Sequence, residues 1–443
     1  MKKTKVLLIN PGRESISVKP GSASWIAPQW LALLSAFTPK NVDLLIHDEL
    51  TRGPLDIRKI PKDLSLVGIG GLTTSRTRAQ ILSKRFRERG TPVIGGGMDV
   101  TGRFFDGDYQ PEEKVALLND YSAIAVGRLT EDLWQEVIND AVTGSIEGQV
   151  YRFQGGNNWQ WKVPDHQIFD PKHYLFPAVR VTDGCPYRCP WCVVGLATDG
   201  QVCCKPGEII RKELKVLPSH AVTLVSDDSF GVNKDHTRKI ALPELKRSGR
   251  KWATELTIRN FLDLAKEMAK AGCVAVYFGI ENIRAKASAK CLSIKEVEKS
   301  ISLARKLRII ATGSFILDWT GKEIKEDIRK TVDWANRWLE AAQFSLIVPV
   351  PGSPYRKTLF EKGAKRKIIN FDPEKYDGST PLLSHDKLTT SELKMAISEA
   401  YHRFYSKGQI LRKAARPHVL YHIADVWKIF NQVRKSIRDW NWD

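Results

Sequence analysis

No cysteine occurs among the first 184 residues of this 443-residue chain. The seven cysteines are Cys185, Cys189, Cys192, Cys203, Cys204, Cys273 and Cys291. A disulfide scaffold spreads and pairs its cysteines, so the tight grouping and the odd number argue against one. Long apolar runs are missing too. No stretch of about 18 apolar residues occurs, so nothing reads as a membrane-spanning helix. The start, MKKTKVLLINPGRES, mimics a signal peptide, but its apolar run covers only residues 6–9 before Arg13 and Glu14 restore charge. It reads as the first strand of a cytoplasmic protein. Acidic residues are in deficit, 50 against 69 basic ones, giving a formal charge of +19. That excess suits nucleic acid, an anionic membrane surface or an acidic substrate, and equally a lysine-rich solvated surface. No GxGxxG follows the first strand, which argues against a nicotinamide cofactor.

What is present is alternation. Over residues 1–145, strand-like runs at 5–11, 42–47, 64–71, 92–97 and 123–127 alternate with helical runs at 30–37, 75–89 and 131–142. This predicts an α/β, doubly wound (Rossmann-like) parallel sheet. Such sheets bind ligands at the carboxyl ends of their strands. Here those ends carry Asn10-Pro11, Gly70 to Thr74, Gly95-Gly96-Gly97 and Gly127. Residues 146–175 read as a linker with short strands. A second alternation fills 176–365, with strands at 178–182, 221–226, 252–257, 274–279, 309–317 and 343–350 and a helix between each and the next. Six repeats are too few for a closed eight-fold barrel and suit an open, partial (β/α)6 barrel with its site at the C-terminal mouth. The last segment, 366–443, reads as a helical, basic C-terminal region.

The first barrel strand runs into GCPYRCPWC, in which Cys185, Cys189 and Cys192 are spaced Cys-x3-Cys-x2-Cys. Three thiolates on one loop can hold three irons of a 4Fe–4S cubane and leave the fourth open to substrate. Zinc is the other option, but a structural zinc needs a fourth ligand. Cys203-Cys204 offers it only as an adjacent pair.

With this motif, Trp191 before the last cysteine and the first-strand location, the chain resembles the radical S-adenosylmethionine superfamily. The resemblance implies that the open iron binds S-adenosylmethionine and that Trp191 lies against the adenine; simple loop packing is the alternative for Trp191. It further implies contacts to S-adenosylmethionine from Asp227 and Asp228 in the SDDSF loop, from Glu255 and Arg259 in TELTIRN, from Glu281 in GIEN, and from Pro351 and Gly352 in PVPGSP. Either aspartate could instead cap the following helix. Relatives often carry a glycine-rich turn after the fifth strand, whereas this chain has Asp318 and Trp319 there.

The N-terminal segments KVLLINP, LVGIGGLTTSRTRAQ, PVIGGGMDVT and AIAVGRLTED resemble the cobalamin-binding domain that precedes the radical barrel in one subclass. Where relatives read Gly-Glu-x-Glu, this chain has Gly127-Arg128-Leu129-Thr130-Glu131, and it has no DxHxxG to supply a lower cobalt ligand. The cobalamin contacts implied are Thr73, Thr74, Gly95, Gly96 and Gly97; a domain that binds nothing is the alternative. The segment after the barrel resembles a branch that includes hopanoid methylases and related lipid-modifying enzymes. The resemblance implies reductive cleavage of S-adenosylmethionine to a 5′-deoxyadenosyl radical, followed by cobalamin-dependent C-methylation of a small-molecule or lipid substrate. Cyclisation or C–C coupling without methyl transfer is the runner-up, and a basic RNA-binding or RNA-modifying protein the alternative from another class, although nucleic acid is not the expected partner. An electron donor such as flavodoxin or ferredoxin is implied. Val426, Phe430, Val433, Ile437 and Trp440 form one helical stripe flanked by Lys428, Arg434, Lys435 and Arg438. That stripe suits peripheral membrane contact or packing on the protein itself.

Overall fold

The computed structural model describes residues 3–15, 24–153, 159–218, 222–284 and 293–422. Six parallel strands form the first sheet: β1 (Lys5–Asn10), β2 (Asp43–Asp48), β3 (Leu66–Gly70), β4 (Val93–Gly96), β5 (Ala123–Val126) and β6 (Val150–Arg152), in the order β2-β1-β3-β4-β5-β6. A parallel sheet covered on both faces needs near-continuous apolar strands. In β1, Val6, Leu7, Leu8 and Ile9 are all at most 1% exposed. Leu7 and Ile9 enter a core with Ala79, Leu82, Phe86 and Leu117, whereas Val6 and Leu8 enter one with Leu31, Phe37, Trp134 and Val137. Helices Arg76–Arg87 and Pro111–Asp120 therefore cover one face, and Gln29–Phe37 and Glu131–Thr143 the other. The strand β6, inside the segment read as a linker, pairs with β5 through Ile124↔Val150 to Val126↔Arg152.

The second sheet contains β7 (Ala178–Val179), β10 (Thr223–Val225), β11 (Trp252–Leu256), β12 (Cys273–Glu281), β13 (Ile310–Ile316) and β14 (Ala341–Ser345). Between β7 and β10 lies a small antiparallel hairpin of β8 (Thr182–Asp183) and β9 (Cys203–Cys204). All six strands of the large sheet are parallel and in chain order, the arrangement of an open (β/α)6 barrel. Crossover helices follow each strand because their apolar stripes match the sheet's outer face. In Ile258–Lys270, Phe261, Leu264, Ala265 and Met268 are buried at helical spacing, and the Thr257 side chain caps the start by accepting from the Asn260 N–H.

The sheet edge at β14 is closed by side chains. On helix Thr390–Phe404 and just beyond it, the Tyr401 hydroxyl accepts from the Phe344 N–H (3.1 Å) and donates to the Phe344 carbonyl (3.0 Å); the Tyr405 hydroxyl does the same for Ala342 (3.1 and 2.8 Å). Helix Pro417–Leu420 plugs the opposite end of the barrel, with Val419 against Ala275 and Ile310. Among the described residues no helix is long and apolar enough to cross a membrane. The amphipathic stripe expected over residues 426–440 lies outside the described residues.

Candidate active site

The cysteine loop hangs between two brackets. Asp227, just after β10, is 3% exposed. Its carboxylate accepts from the N–H of Val181 (2.8 Å), the N–H of Thr182 (3.0 Å) and the Thr182 hydroxyl (2.5 Å). Burial nevertheless pushes its pKa up to about 6. Asp228 accepts from the Gly184 N–H at 2.8 Å. Neither aspartate caps the next helix, whose cap is Asn233. Both of Asp227's oxygens are taken up by the root of the loop, so it acts as a support from behind, and Asp228 is the partly exposed one of the pair. Two glycines let the loop close. A Cβ on Gly184 (φ +100°) would lie 2.1 Å from the Gln201 carbonyl, and one on Gly195 would lie 2.4 Å from that of Tyr187.

Cys185, Cys189 and Cys192 stand on this loop, none of them in a disulfide. Cys189 is 6% exposed and the other two are half-buried. Burial pushes the Cys185 thiol up to about 11, with Cys192, Asp228 and Cys189 adding to the rise. The thiolate is the form that binds metal, so the Cys185 sulfur needs a strongly positive centre to ionise. Among the described residues, no three His, Cys, Asp or Glu side chains converge as they would around a single ion. A cubane spreads its thiolates over three irons, and the three loop thiols fit that donor set.

The barrel lumen is polar. Glu255 is exposed near the C-terminal end of β11, beside Tyr277 of β12, and Ser314 of β13 lies beside Gln343 of β14. The Tyr277 hydroxyl donates to Gln343 Oε1 at 2.7 Å. Burial, with the Glu255 and Glu281 carboxylates nearby, pushes that hydroxyl far above its ordinary value. Glu281 ends β12 at φ +64°, where the β12–β13 register shifts, a strained conformation typical of binding sites. Arg259 stands exposed in the first turn of its helix on the same mouth.

Pro351 and Gly352 have a different setting. A Cβ on Gly352 (φ +77°) would meet the Gly102 backbone, and one on Gly102 would lie 2.3 Å from the Pro351 carbonyl. Asp106 of helix Gly97–Asp106, fully buried, accepts from the Gly352 N–H and from Arg356 Nε, both at 2.6 Å. The Pro-Gly turn is thus where the barrel seats on the N-terminal sheet.

At the carboxyl edge of that sheet, Thr73 and Thr74 begin a short helical turn and are partly exposed, beside Leu72 at 63% exposure. Gly97 is exposed at φ +87°, its missing Cβ accommodating the Gly71 backbone, and Gly96 is partly exposed. Gly95 is buried, with its missing Cβ making room for the Tyr121 ring. The single histidine of residues 1–145, His47, bonds the Gly53 carbonyl at 2.9 Å. An open edge with an exposed leucine and glycines fits a large flat ligand, and this part of the chain offers no free imidazole below it.

Sequence reasoning missed two residues that join the halves: Asp106, described above, and Arg128. Arg128 Nε lies 2.6 Å from Asp183, Nη1 reaches Cys203 Sγ at 3.7 Å, and the guanidinium covers the Trp159 ring at 5.2 Å. Arg180 and Arg128 together oppose the burial of Asp183 and hold its carboxyl below the usual range. The departure from Gly-Glu-x-Glu at Arg128 was the one available signal.

No family model matches the chain. Similar proteins include an uncharacterized methyltransferase of Pyrococcus horikoshii, 25% identical across 93% of this chain and 95% of that protein. A bacteriochlorophyllide d C-8(2)-methyltransferase of Chlorobaculum tepidum is 23% identical across 86% of each. A hopanoid C-2 methylase of Rhodopseudomonas palustris is 24% identical over 58% of this chain and 49% of its own length. Among solved structures, the radical S-adenosylmethionine methyltransferase TsrM of Kitasatospora setae, with its tryptophan substrate and an S-adenosylmethionine analogue bound, superposes with a TM-score of 0.64 at 16% identity, covering 90% of this chain and 89% of that one. The cobalamin-dependent enzyme OxsB, with aqua-cobalamin and S-adenosylmethionine bound, gives 0.65 at 12% identity, covering 98% and 71%. Both comparisons bear out the resemblance read from the sequence and the fold class with it.

Proposed function

We propose that this chain, which has the fold of the cobalamin-dependent radical S-adenosylmethionine enzymes and methyltransferases for relatives, is itself a radical enzyme that methylates an unactivated carbon. The observation that carries the reading is the loop of three cysteines outside any disulfide, braced by Asp227 and Asp228 at the mouth of an open parallel barrel. Cys185, Cys189 and Cys192 would hold the 4Fe–4S cluster. Trp191, Asp228, Glu255, Arg259 and Glu281 would surround the space where S-adenosylmethionine meets it, while Asp227, Pro351 and Gly352 would support that space from behind. Thr73, Thr74, Gly96 and Gly97, backed by Gly95, would carry cobalamin. When bound, these groups supply the one-electron chemistry that opens an inert C–H bond and the methyl group that replaces the hydrogen. The protein's own part is positional. The aspartates fix the loop, the lumen carboxylates would meet an ammonium or ribose, and the domain seat holds the two halves in register. The electron comes from a donor such as flavodoxin or ferredoxin. The similar proteins leave flat tetrapyrroles and polycyclic lipids as the substrate classes to compare.

The test is the metal content and absorption spectrum of protein purified without oxygen from cobalamin-supplied cells. Iron and sulfide near about four per chain with about one cobalamin supports methylation. A cluster without cobalamin leaves the radical enzyme and removes methyl transfer, and product mass then reports ring closure or coupling. Zinc without iron overturns the reading. Cys189→Ala is expected to abolish formation of 5′-deoxyadenosine, and undiminished cleavage would refute the cluster assignment.

A further inference from the structure

One ring at the barrel mouth, that of Trp319, has no part in the chemistry above. Trp319 follows β13, and its ring meets Trp191 edge to face at 5.1 Å and Tyr355 at 5.8 Å with a 32° tilt. Both partners are tied to the cysteine loop. Trp191 directly precedes Cys192, and the Tyr355 N–H donates to the Pro190 carbonyl at 2.8 Å. The turn that carries Trp319 is fixed on each side. Asp318, 2% exposed, accepts from the Ile347 N–H (2.6 Å) and from Arg366 Nη2 (2.9 Å). Arg366 also donates to the carbonyls of Asp318 (2.8 Å) and Ser384 (2.7 Å), and its side chain packs over Gly321 at φ +71°. Glu323 accepts from the N–H groups of Thr320 (2.9 Å) and Lys322 (3.1 Å). The indole is therefore presented by a rigid turn and does not merely fill a gap.

The three rings are each partly exposed, and Ile316, Ile347 and Leu383 back them. Ligand sites combine such an apolar wall with a few polar groups, here those of the lumen. Aromatic faces and edges interact best with another π system, which a saturated ring lacks. We propose that Trp319, held in place by Trp191 and Tyr355, presents the wall on which a planar conjugated substrate ring packs, so that Trp319 sets the substrate class. This rests on the functional reading above and chooses between its two substrate classes.

The experiment titrates the cluster-loaded protein with protoporphyrin IX as a flat probe and separately with S-adenosylmethionine. Trp319→Ala is expected to weaken porphyrin binding by roughly tenfold, and Trp319→Phe to restore most of it. S-adenosylmethionine affinity is expected to change less. Wild-type protein that does not bind porphyrin, an unchanged affinity in Trp319→Ala, or a loss larger for S-adenosylmethionine would each overturn the proposal. An equal loss in Trp25→Ala, an exposed ring outside the wall, would mark surface adsorption and overturn it too. Protein that takes up no cluster would refute the functional reading, while its porphyrin titration would still decide the wall.

Discussion

Lys413 has no exposed surface; its Nζ sits over the Phe404 ring and donates to the Phe404 carbonyl at 2.9 Å. Burial pulls it from 10.5 down to about 6. Between those values the unfolded chain holds a proton that the folded chain refuses, so stability rises with pH across that window. Below about 6 both states are protonated and the full penalty is present. Lys413→Met is therefore expected to raise the Tm by several degrees at neutral pH and to flatten its rise between about pH 6 and 10. An unchanged slope in a thermal scan series would contradict the assignment. At this scale legibility depended on distance along the chain. Cys185, Cys189 and Cys192 declare themselves by spacing alone. Asp227 could be singled out, but not its task, because the groups it binds stand 45 and 46 residues earlier.

The two tyrosines that close β14 make a prediction about an element. Without the Tyr405 hydroxyl the backbone N–H and carbonyl of Ala342 lose their partner. Tyr405→Phe is expected to cost about 1–3 kcal/mol, read by denaturant unfolding. Removing Tyr401 as well should cost more than either change alone and raise amide exchange along β14; equal exchange would show the edge to be shielded otherwise. The barrel strands were legible because runs such as VAVYFGI are apolar and bounded by turn residues. Helices Gly97–Asp106 and Pro111–Asp120 were not read. The first begins on the last of three glycines and looked like the tail of a strand. The second carries proline then two glutamates at its start, a helix-start signal with only a weak apolar stripe behind it.

The two halves of the molecule meet through a buried charge pair whose members, Asp106 and Arg356, stand 250 residues apart. No local pattern could reveal it. Each half was legible as a fold, but not the seat between them. Asp106→Ala strands the buried Arg356 guanidinium, at a cost of about 3–5 kcal/mol. The expected outcome is a thermal transition that splits in two and faster proteolysis between the halves, whereas a single unshifted transition would mean that Gly102 against Pro351 suffices. The seat also constrains ancestry. A carboxylate on one half, a guanidinium on the other and a glycine on each side must change together. A hybrid gene that joins this first sheet to another barrel would inherit half a lock, and the two modules are bound to evolve as one inherited unit.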